Sequence, residues 1–360
     1  MSDSWAEVTI GDIATIVPGK YLPKSEYVED GDYFVYGSNS VMGKYSKFLI
    51  EPPHTVMAAI GAYAGAVRYS PEPSWVNNNA FGLLVKPVVL PRYFYLWLNS
   101  KLDLSSVVAG TGQPYVQRPS LNAAKVALPP LSDQKRVVDV VAAVDTYIAA
   151  LHQQAEDARA ARNAVLHELL TAGGDDWTET ALGEVAEIQQ GQNLAISALT
   201  TGEYPVYGAN GIVGHFDRWN FNQDVVALGC RGSCGTVHSV TGKVWLANNV
   251  MAVWPKNESQ VAVAFIALVL ETADLRSSGV ISGQVQPQIT RTSLSPLGFI
   301  LPPLSEQEEI VGIVSAMDDV ITSTEQAISD AKELRSGLLS DLLSGDHEIP
   351  ESYDRLLGAA

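Results

Sequence analysis

The stretch Leu128-Pro129-Pro130-Leu131-Ser132-Asp133-Gln134 returns 173 positions later as Leu301-Pro302-Pro303-Leu304-Ser305-Glu306-Gln307. No other feature constrains the fold as strongly. Pro-Pro cannot continue a ladder or a helix interior, so each copy is a hard stop. Ser132 and Ser305 are the expected N-caps of two helices, and Asp133 and Glu306 put negative charge in a first helical turn. Each copy thus ends a globular module and opens a helix.

The duplication extends upstream. Trp5 and Gly11-Asp12-Ile13-Ala14 return as Trp177 and Gly183-Glu184-Val185-Ala186. Tyr33-Phe34-Val35-Tyr36-Gly37-Ser38-Asn39 returns as Tyr204-Pro205-Val206-Tyr207-Gly208-Ala209-Asn210. Gly65-Ala66-Val67, Trp75 and Asn78-Asn79 correspond to Gly235-Thr236-Val237, Trp245 and Asn248-Asn249. Gln113-Pro114 and Arg118 correspond to Gln286-Pro287 and Arg291. Such a period makes each unit a whole domain with its helix, not one turn of a solenoid. Between the landmarks the copies diverge, with 20–25 unlike 190–197 and Ile60 and Ala64 standing where Cys230 and Cys234 do. A shared scaffold carrying unlike surface segments suits two readers of different targets.

Short apolar runs bounded by Gly, Asn or Pro at 56–60, 225–228 and 251–254 predict strands, and 93–102 and 261–275 predict helices. After each Pro-Pro stop the apolar spacing becomes strictly four-three. It runs through Val137, Val141, Val144, Ile148, Leu151, Ala155, Ala158, Arg162, Val165 and Leu169. The second run is Ile310, Val314, Met317, Ile321, Thr324, Ile328, Ala331, Arg335, Leu338 and Leu342. Spacing sustained this far predicts a coiled coil. Arg162 and Arg335 stand at one repeat position and need an edge or a carboxylate. The fold class expected is α+β: two pseudo-repeated mixed α/β modules, each followed by a long helix. The helices are expected to pair antiparallel, with the modules at opposite ends. The expected segments are a first module at 1–131, a helix at 132–172 and a linker with the second module at 173–304. A second helix at 305–345 and an acidic tail at 346–360, expected to be mobile, complete the chain.

The net charge of −17 is unevenly spread: zero over 1–131 and −3 over 177–304, the rest lying in the helical segments and tail. Cys230 and Cys234 are the only cysteines, which suits a reducing compartment. The first ten residues read as no signal peptide, and the longest apolar run, 261–270, is half of the roughly 20 residues needed to span a bilayer. A soluble, cytoplasmic protein is expected. No Walker A sequence, His-Glu-x-x-His, zinc spacing or Asn-Pro-Pro-aromatic tetrapeptide is present, so a non-catalytic binder without metal is expected. Cys230 and Cys234 read as small buried side chains.

Planar, hydrogen-bonding side chains are plentiful, and base readout needs them, as positioning needs phosphate contacts. Candidate DNA contacts in the first module are Lys20, Lys24, Asn39, Tyr63, Arg68, Gln113, Tyr115 and Arg118. In the second they are Gln192, Asn193, Asn210, Arg231, Ser233, Gln286, Gln288 and Arg291. Gln189, Gln190 and Gln284 add amides of the same kind. Residues that repeat, Arg118 and Arg291 among them, have an equally good structural reading. Residues that differ, such as Gln192, Arg231 and Tyr115, are the better candidates for target-specific contact.

With its duplicated variable modules, Leu-Pro-Pro-Leu-Ser-(Asp/Glu)-Gln junctions and heptad helices, the chain resembles Type I restriction-modification specificity subunits over nearly its whole length. The resemblance implies that each module is a target recognition domain for one half of a split double-stranded DNA site. It implies helices that set the gap and dock two methyltransferase subunits, here through Gln134, Val137, Val144, Ile148, Leu151, Gln307, Ile310, Met317, Ile321 and Ile328. Restriction subunits would join them. S-adenosylmethionine, ATP and Mg then belong to those partners, and this chain holds no cofactor. Near-neutral modules are unusual for a DNA binder, so the partners are expected to supply much of the phosphate contact. Two alternatives stand beside this: a specificity module for a methyltransferase-only or other defence complex, and a protein- or glycan-binding scaffold.

Overall fold

The computed structural model of the chain describes residues 5–283 and 286–345. Gln284 and the 346–360 tail, expected to be mobile, lie outside them. The fold is α+β, in two units: 1–151 with 327–360, and 152–326. Each long helix, Leu131–Thr171 and Leu304–Leu342, contributes one part to each unit.

The first unit holds an antiparallel four-stranded sheet in the order Ala14–Pro18, Ala80–Val85, His54–Ala58, Val67–Ser70. His54–Ala58 is buried throughout, as a strand covered on both faces must be. A second sheet places Tyr33–Tyr36 between Val41–Tyr45, antiparallel, and Ser74–Val76, parallel. The second unit repeats the first sheet as Ala186–Gln190, Val250–Pro255, Val225–Gly229, Val237–Val240. It repeats the second as Gly211–Phe216, Tyr204–Gly208, Lys243–Leu246, with Phe221–Asn222 added. Even the irregularity recurs: the hairpin register slips between Val35 and Tyr36 and again between Val206 and Tyr207. The expected helices appear at Pro91–Lys101 and Val263–Thr272, each packed on its four-stranded sheet.

The long helices begin one residue earlier than the sequence suggests. The N–H groups of Asp133 and Gln134 donate to the Pro130 carbonyl, and those of Glu306 and Gln307 to the Pro303 carbonyl. The second proline therefore opens the helix, and Ser132 and Ser305 lie inside the first turn, not at the cap. This suits proline, because the residue that caps a helix supplies the first carbonyl acceptor and needs no N–H for the helix. At the far end Gly173, at φ +71°, ends the first helix in the left-handed region that glycine tolerates.

Within each unit the two helix portions run antiparallel. In the first, Val137 and Val141 pack in one core with Leu339, Leu342 and Leu343. In the second, Leu166 packs with Ile310 and Val314 and with Phe265 and Leu268 of the short helix. Arg162 finds its carboxylate: Nε donates to Asp318 at 2.6 Å and Nη2 at 3.0 Å, with Glu271 at 2.9 Å. Arg335 grips Asp145 in the same two-pronged way. Asp145 and Asp318 are themselves 173 positions apart, so the repeat is reciprocal.

Candidate nucleic-acid interface

Gln134 and Gln307, expected to meet a partner subunit, are fully buried. Gln134 Oε1 accepts from the Leu90 N–H at 2.8 Å, and its Nε2 donates to the Val88 and Pro129 carbonyls. Gln307 accepts from the Ala262 N–H at 2.9 Å and donates to the Gln260 and Pro302 carbonyls. Leu90 and Ala262 are the N-cap residues of the short helices, and neither has a side-chain cap of its own. The glutamine of the duplicated motif thus fastens module to helix. The apolar positions expected to dock a partner are also turned inward: Val137, Ile148, Leu151, Ile310, Ile321 and Ile328 are buried, and Val144 and Met317 half-buried. A seam that closes on the chain's own second helix leaves these positions little area for a partner.

In each unit a frame of backbone hydrogen bonds gathers three segments that present the candidate side chains. The Ala59 N–H donates to Asn79 at 2.8 Å, and Ala59 accepts from Val116 at 2.9 Å. Cys230 does the same with Asn249, at 2.8 Å, and Ile289, at 2.9 Å. The next residues form matching bridges, Ile60 with Tyr115 and Arg231 with Gln288. This register corrects the sequence pairing: Ala59, not Ile60, corresponds to Cys230, and Arg231 takes the place of Ile60. The first loop is one residue longer, an insertion that the glycines on either side conceal.

The third segment leaves the edge strand. Lys20 donates its N–H to Val76 and accepts from Trp75 Nε1; Gln192 donates to Leu246 and accepts from Trp245 Nε1. Each follows a glycine that has no room for a side chain: a Cβ on Gly19 would lie 2.0 Å from the Asn77 oxygen, and one on Gly191 2.3 Å from that of Ala247. The frame therefore requires backbone contact there.

The exposed members of the frame in the first unit are Lys20, Tyr63, Gln113, Tyr115 and Arg118, the last with its guanidinium 5.8 Å from the Phe81 ring centre. In the second unit Arg231, Gln288, Thr290 and Arg291 line, with Gln189 and Gln190, a cavity of about 270 Å³. Gln192, Asn193 and Gln286 are exposed, while Ser233 is half-buried in a turn where its carbonyl accepts from Thr236 Oγ1. Asn39 and Asn210 are exposed at equivalent hairpin turns. Arg68 is differently placed: its guanidinium donates to the Asn39 carbonyl and braces the turn. Lys24 is exposed on the Lys24–Glu26 turn.

Cys230 is buried, and Cys234 Sγ donates to the Pro287 carbonyl at 3.0 Å. Burial pushes both thiols above the ordinary cysteine range, which suits anchoring and not nucleophilic chemistry. Among the described residues no group of His, Cys, Asp and Glu is placed to hold a metal ion, and no helix is long and apolar enough to cross a membrane.

Several lysines are tied down within the fold. Lys86 Nζ donates to the Gly11 and Asp12 carbonyls, Lys256 Nζ to that of Gly183, and Lys125 pairs with Glu7. Lys243 lies 4.4 Å from the centre of the Trp219 ring. Of the frame cations, Arg118 lies over the Phe81 ring and Arg291 faces Glu187, while Lys20 and Arg231 are exposed outside such roles, so a near-neutral module still presents positive charge there.

Residues 2–158 and 174–333 match the family described as the Type I restriction modification DNA specificity domain. Among curated proteins, the chain is 24% identical over 227 residues to the Type I restriction enzyme MjaVIII specificity subunit of Methanocaldococcus jannaschii. That match covers 54% of this chain and 52% of the relative, so the chain spans about half the length of that relative. Among solved structures it is similar to a Type I restriction-modification system S subunit from M. genitalium, with TM-score 0.61 and 18% identity over 97% of this chain and 98% of that one. It is also similar to a chain from a structure concerned with complex assembly and conformational transition of the type I R-M system, with TM-score 0.65 and 17% identity over 96% and 99%. At these identities the structural likeness is one of fold.

Proposed function

The chain belongs to the Type I restriction modification DNA specificity family, and on that premise we propose that each of its units reads one half of a split DNA sequence. The observation that carries this is the frame itself: one set of backbone hydrogen bonds, built twice, holding unlike side chains at matched positions. A protein recognising one symmetric sequence would gain nothing from the differences. The chain is the specificity subunit and performs no chemistry. It works in the cytoplasm with two methyltransferase subunits, which carry S-adenosylmethionine, and with restriction subunits, which carry ATP and Mg. Those partners supply much of the phosphate contact, and the chain alone binds its target weakly.

Partner docking on the helices has support outside the closed seam. Ile313, Val320 and Leu334 are exposed at multiples of seven along Leu304–Leu342, with half-buried Ala327 between them. Residues seven apart share a helix face. In the first unit Tyr147 joins Ala327 and Leu334 around an apolar groove of about 630 Å³. These positions, not the buried seam, are where a partner helix would be felt.

Mapping adenine methylation in cells with and without the gene tests the main reading. Loss of a bipartite motif on deletion supports it, and an unchanged methylome refutes it. The helices as spacers are tested by inserting seven residues into each, about 10 Å of rise. The gap in the methylated sequence should then lengthen by about 3 base pairs while both half-sites stay the same.

A further inference from the structure

The matched frames make it possible to ask what each unit reads at one shared position. Where the Ala59–Val116 and Cys230–Ile289 hydrogen bonds coincide, the next residue pair outward is Ile60 with Tyr115 in one unit and Arg231 with Gln288 in the other. The first pair is apolar and aromatic, with Tyr63 exposed beside it on the same loop. The second pairs a guanidinium with an amide at the mouth of a cavity that also holds Arg291 and Gln190. Arg231 is exposed, and among the described residues no carboxylate pairs with it.

The loop carrying Arg231 is held on both sides. Cys230 is buried and hydrogen-bonded through N–H and carbonyl, and Cys234 Sγ is fixed to Pro287. Between them Gly232 sits at φ +75°, with nothing within reach of a Cβ. The two cysteines and the glycine therefore set a tight, pinned turn whose protruding side chain is Arg231. A guanidinium held on a rigid turn loses less freedom on binding than one on a mobile loop. Its fork matches the O6 and N7 acceptors of guanine in the major groove, whereas an apolar or aromatic surface meets the thymine methyl.

We propose that Arg231 is the guanine-reading residue of the second unit, and that Ile60 and Tyr115 hold the same position in the first unit for an A·T pair. The inference rests on the split-site reading above. It gives the cysteines a role as anchors of a specificity residue, and it separates Arg231 from Arg291, whose guanidinium lies 3.6 Å from the Glu187 carboxylate.

The test is selection from duplex DNA carrying two randomised stretches, using the full chain with the subunits that assemble on it. The wild type should recover a split sequence with a fixed guanine in one half. Arg231→Ala should lose preference at that one base pair by about 5- to 150-fold, the range for one bidentate contact, with the other half-site intact. Arg231→Lys should keep overall affinity and recover only part of the preference, because an ammonium lacks the fork. Ile60→Arg with Tyr115→Gln should create a guanine preference in the other half. If Arg231→Ala keeps the guanine, or loses affinity evenly over all sequences as a phosphate contact would, the proposal is overturned while the split-site reading stands. If the wild type selects no sequence at all, the reading beneath it fails as well.

Discussion

The two units differ most where each is least free to differ in backbone. Residue for residue, Ala59 and Cys230 make the same two hydrogen bonds, Lys20 and Gln192 the same pair, and Gln134 and Gln307 the same three. Yet on that frame one unit carries Ile60 and Tyr115 and the other Arg231 and Gln288. The interior shows the same pattern. The first unit buries His54 against Ser74, and the second has Val225 and Val244 on the corresponding strands. Duplication has preserved the contacts made by main chain and by the motif glutamines, and has let side chains that face solvent or fill the core diverge. The shared part is where the fold is set, and the divergent part is where the two units are free to present unlike surfaces.

The largest expected effect probes the shared part. Replacing Gln307 with Leu leaves the Ala262 N–H and two carbonyls without their partner in a buried site, at a cost of about 3 kcal/mol or more. Gln134→Leu should cost the same in the other unit. Gln307→Glu is the sharper variant, because a carboxylate keeps the acceptor and loses both donors. It should be at least as damaging despite equal size. Hydrogen exchange resolved along the chain should report loss of protection first in 152–326 for Gln307 and in 1–151 for Gln134. Equal loss in both units from either variant would break the idea of two separately fastened modules.

The sequence showed the duplication, the expected helices to within three residues at their ends and the need of Arg162 and Arg335 for carboxylates. It did not name those carboxylates, because Asp145 and Asp318 lie beside the seam positions Val144 and Met317, where heptad reasoning expects solvent. Nor did it show that Gln134 and Gln307 are interior. A glutamine one turn into a helix is ordinarily a surface residue, and its burial depends on a loop more than 40 residues upstream in the chain. The frame was legible only in part: the landmarks appear, but the one-residue offset between 59–65 and 230–235 becomes visible only when hydrogen bonds fix the register.

A middle-sized effect tests whether the reciprocal ion pairs are equivalent. Arg162 meets two carboxylates, Asp318 and Glu271, whereas Arg335 shares Asp145 with Arg92. These pairs are partly exposed, so each is worth about 1 kcal/mol at most after screening. Arg162→Met should cost more than Arg335→Met, since the first strands two acids and the second leaves Asp145 its other arginine. Double-mutant cycles with Asp318→Asn and Asp145→Asn, read from denaturant midpoints, measure the two couplings. Larger coupling at Arg335 would reverse the ranking.

The smallest effect concerns pH and should be confined to one unit. His54 is buried, with Nδ1 2.9 Å from the Glu51 carbonyl and Nε2 2.8 Å from Ser74 Oγ. A carbonyl only accepts, so Nδ1 carries the proton, and Nε2 accepts from the serine hydroxyl in the neutral ring. Burial holds the imidazole below its ordinary value of 6.5, outweighing the Glu51 contact, which pulls the other way. The folded protein thus binds fewer protons at this site than the unfolded chain. The stability it permits is full above about pH 6.5, falls as the unfolded histidine gains its proton, and levels off below the folded value. No such term arises at the corresponding site of the second unit, where Val225 and Val244 have nothing to titrate. His54→Val with Ser74→Val should therefore flatten the drop in hydrogen-exchange protection of 1–151 between pH 7 and 5, and leave 152–326 unchanged. Both variants leave the Glu51 carbonyl to water at an exposed residue, but His54→Val alone also strands the buried Ser74 hydroxyl and loses more stability at every pH. An undiminished acid response in the double variant would assign the drop to another group.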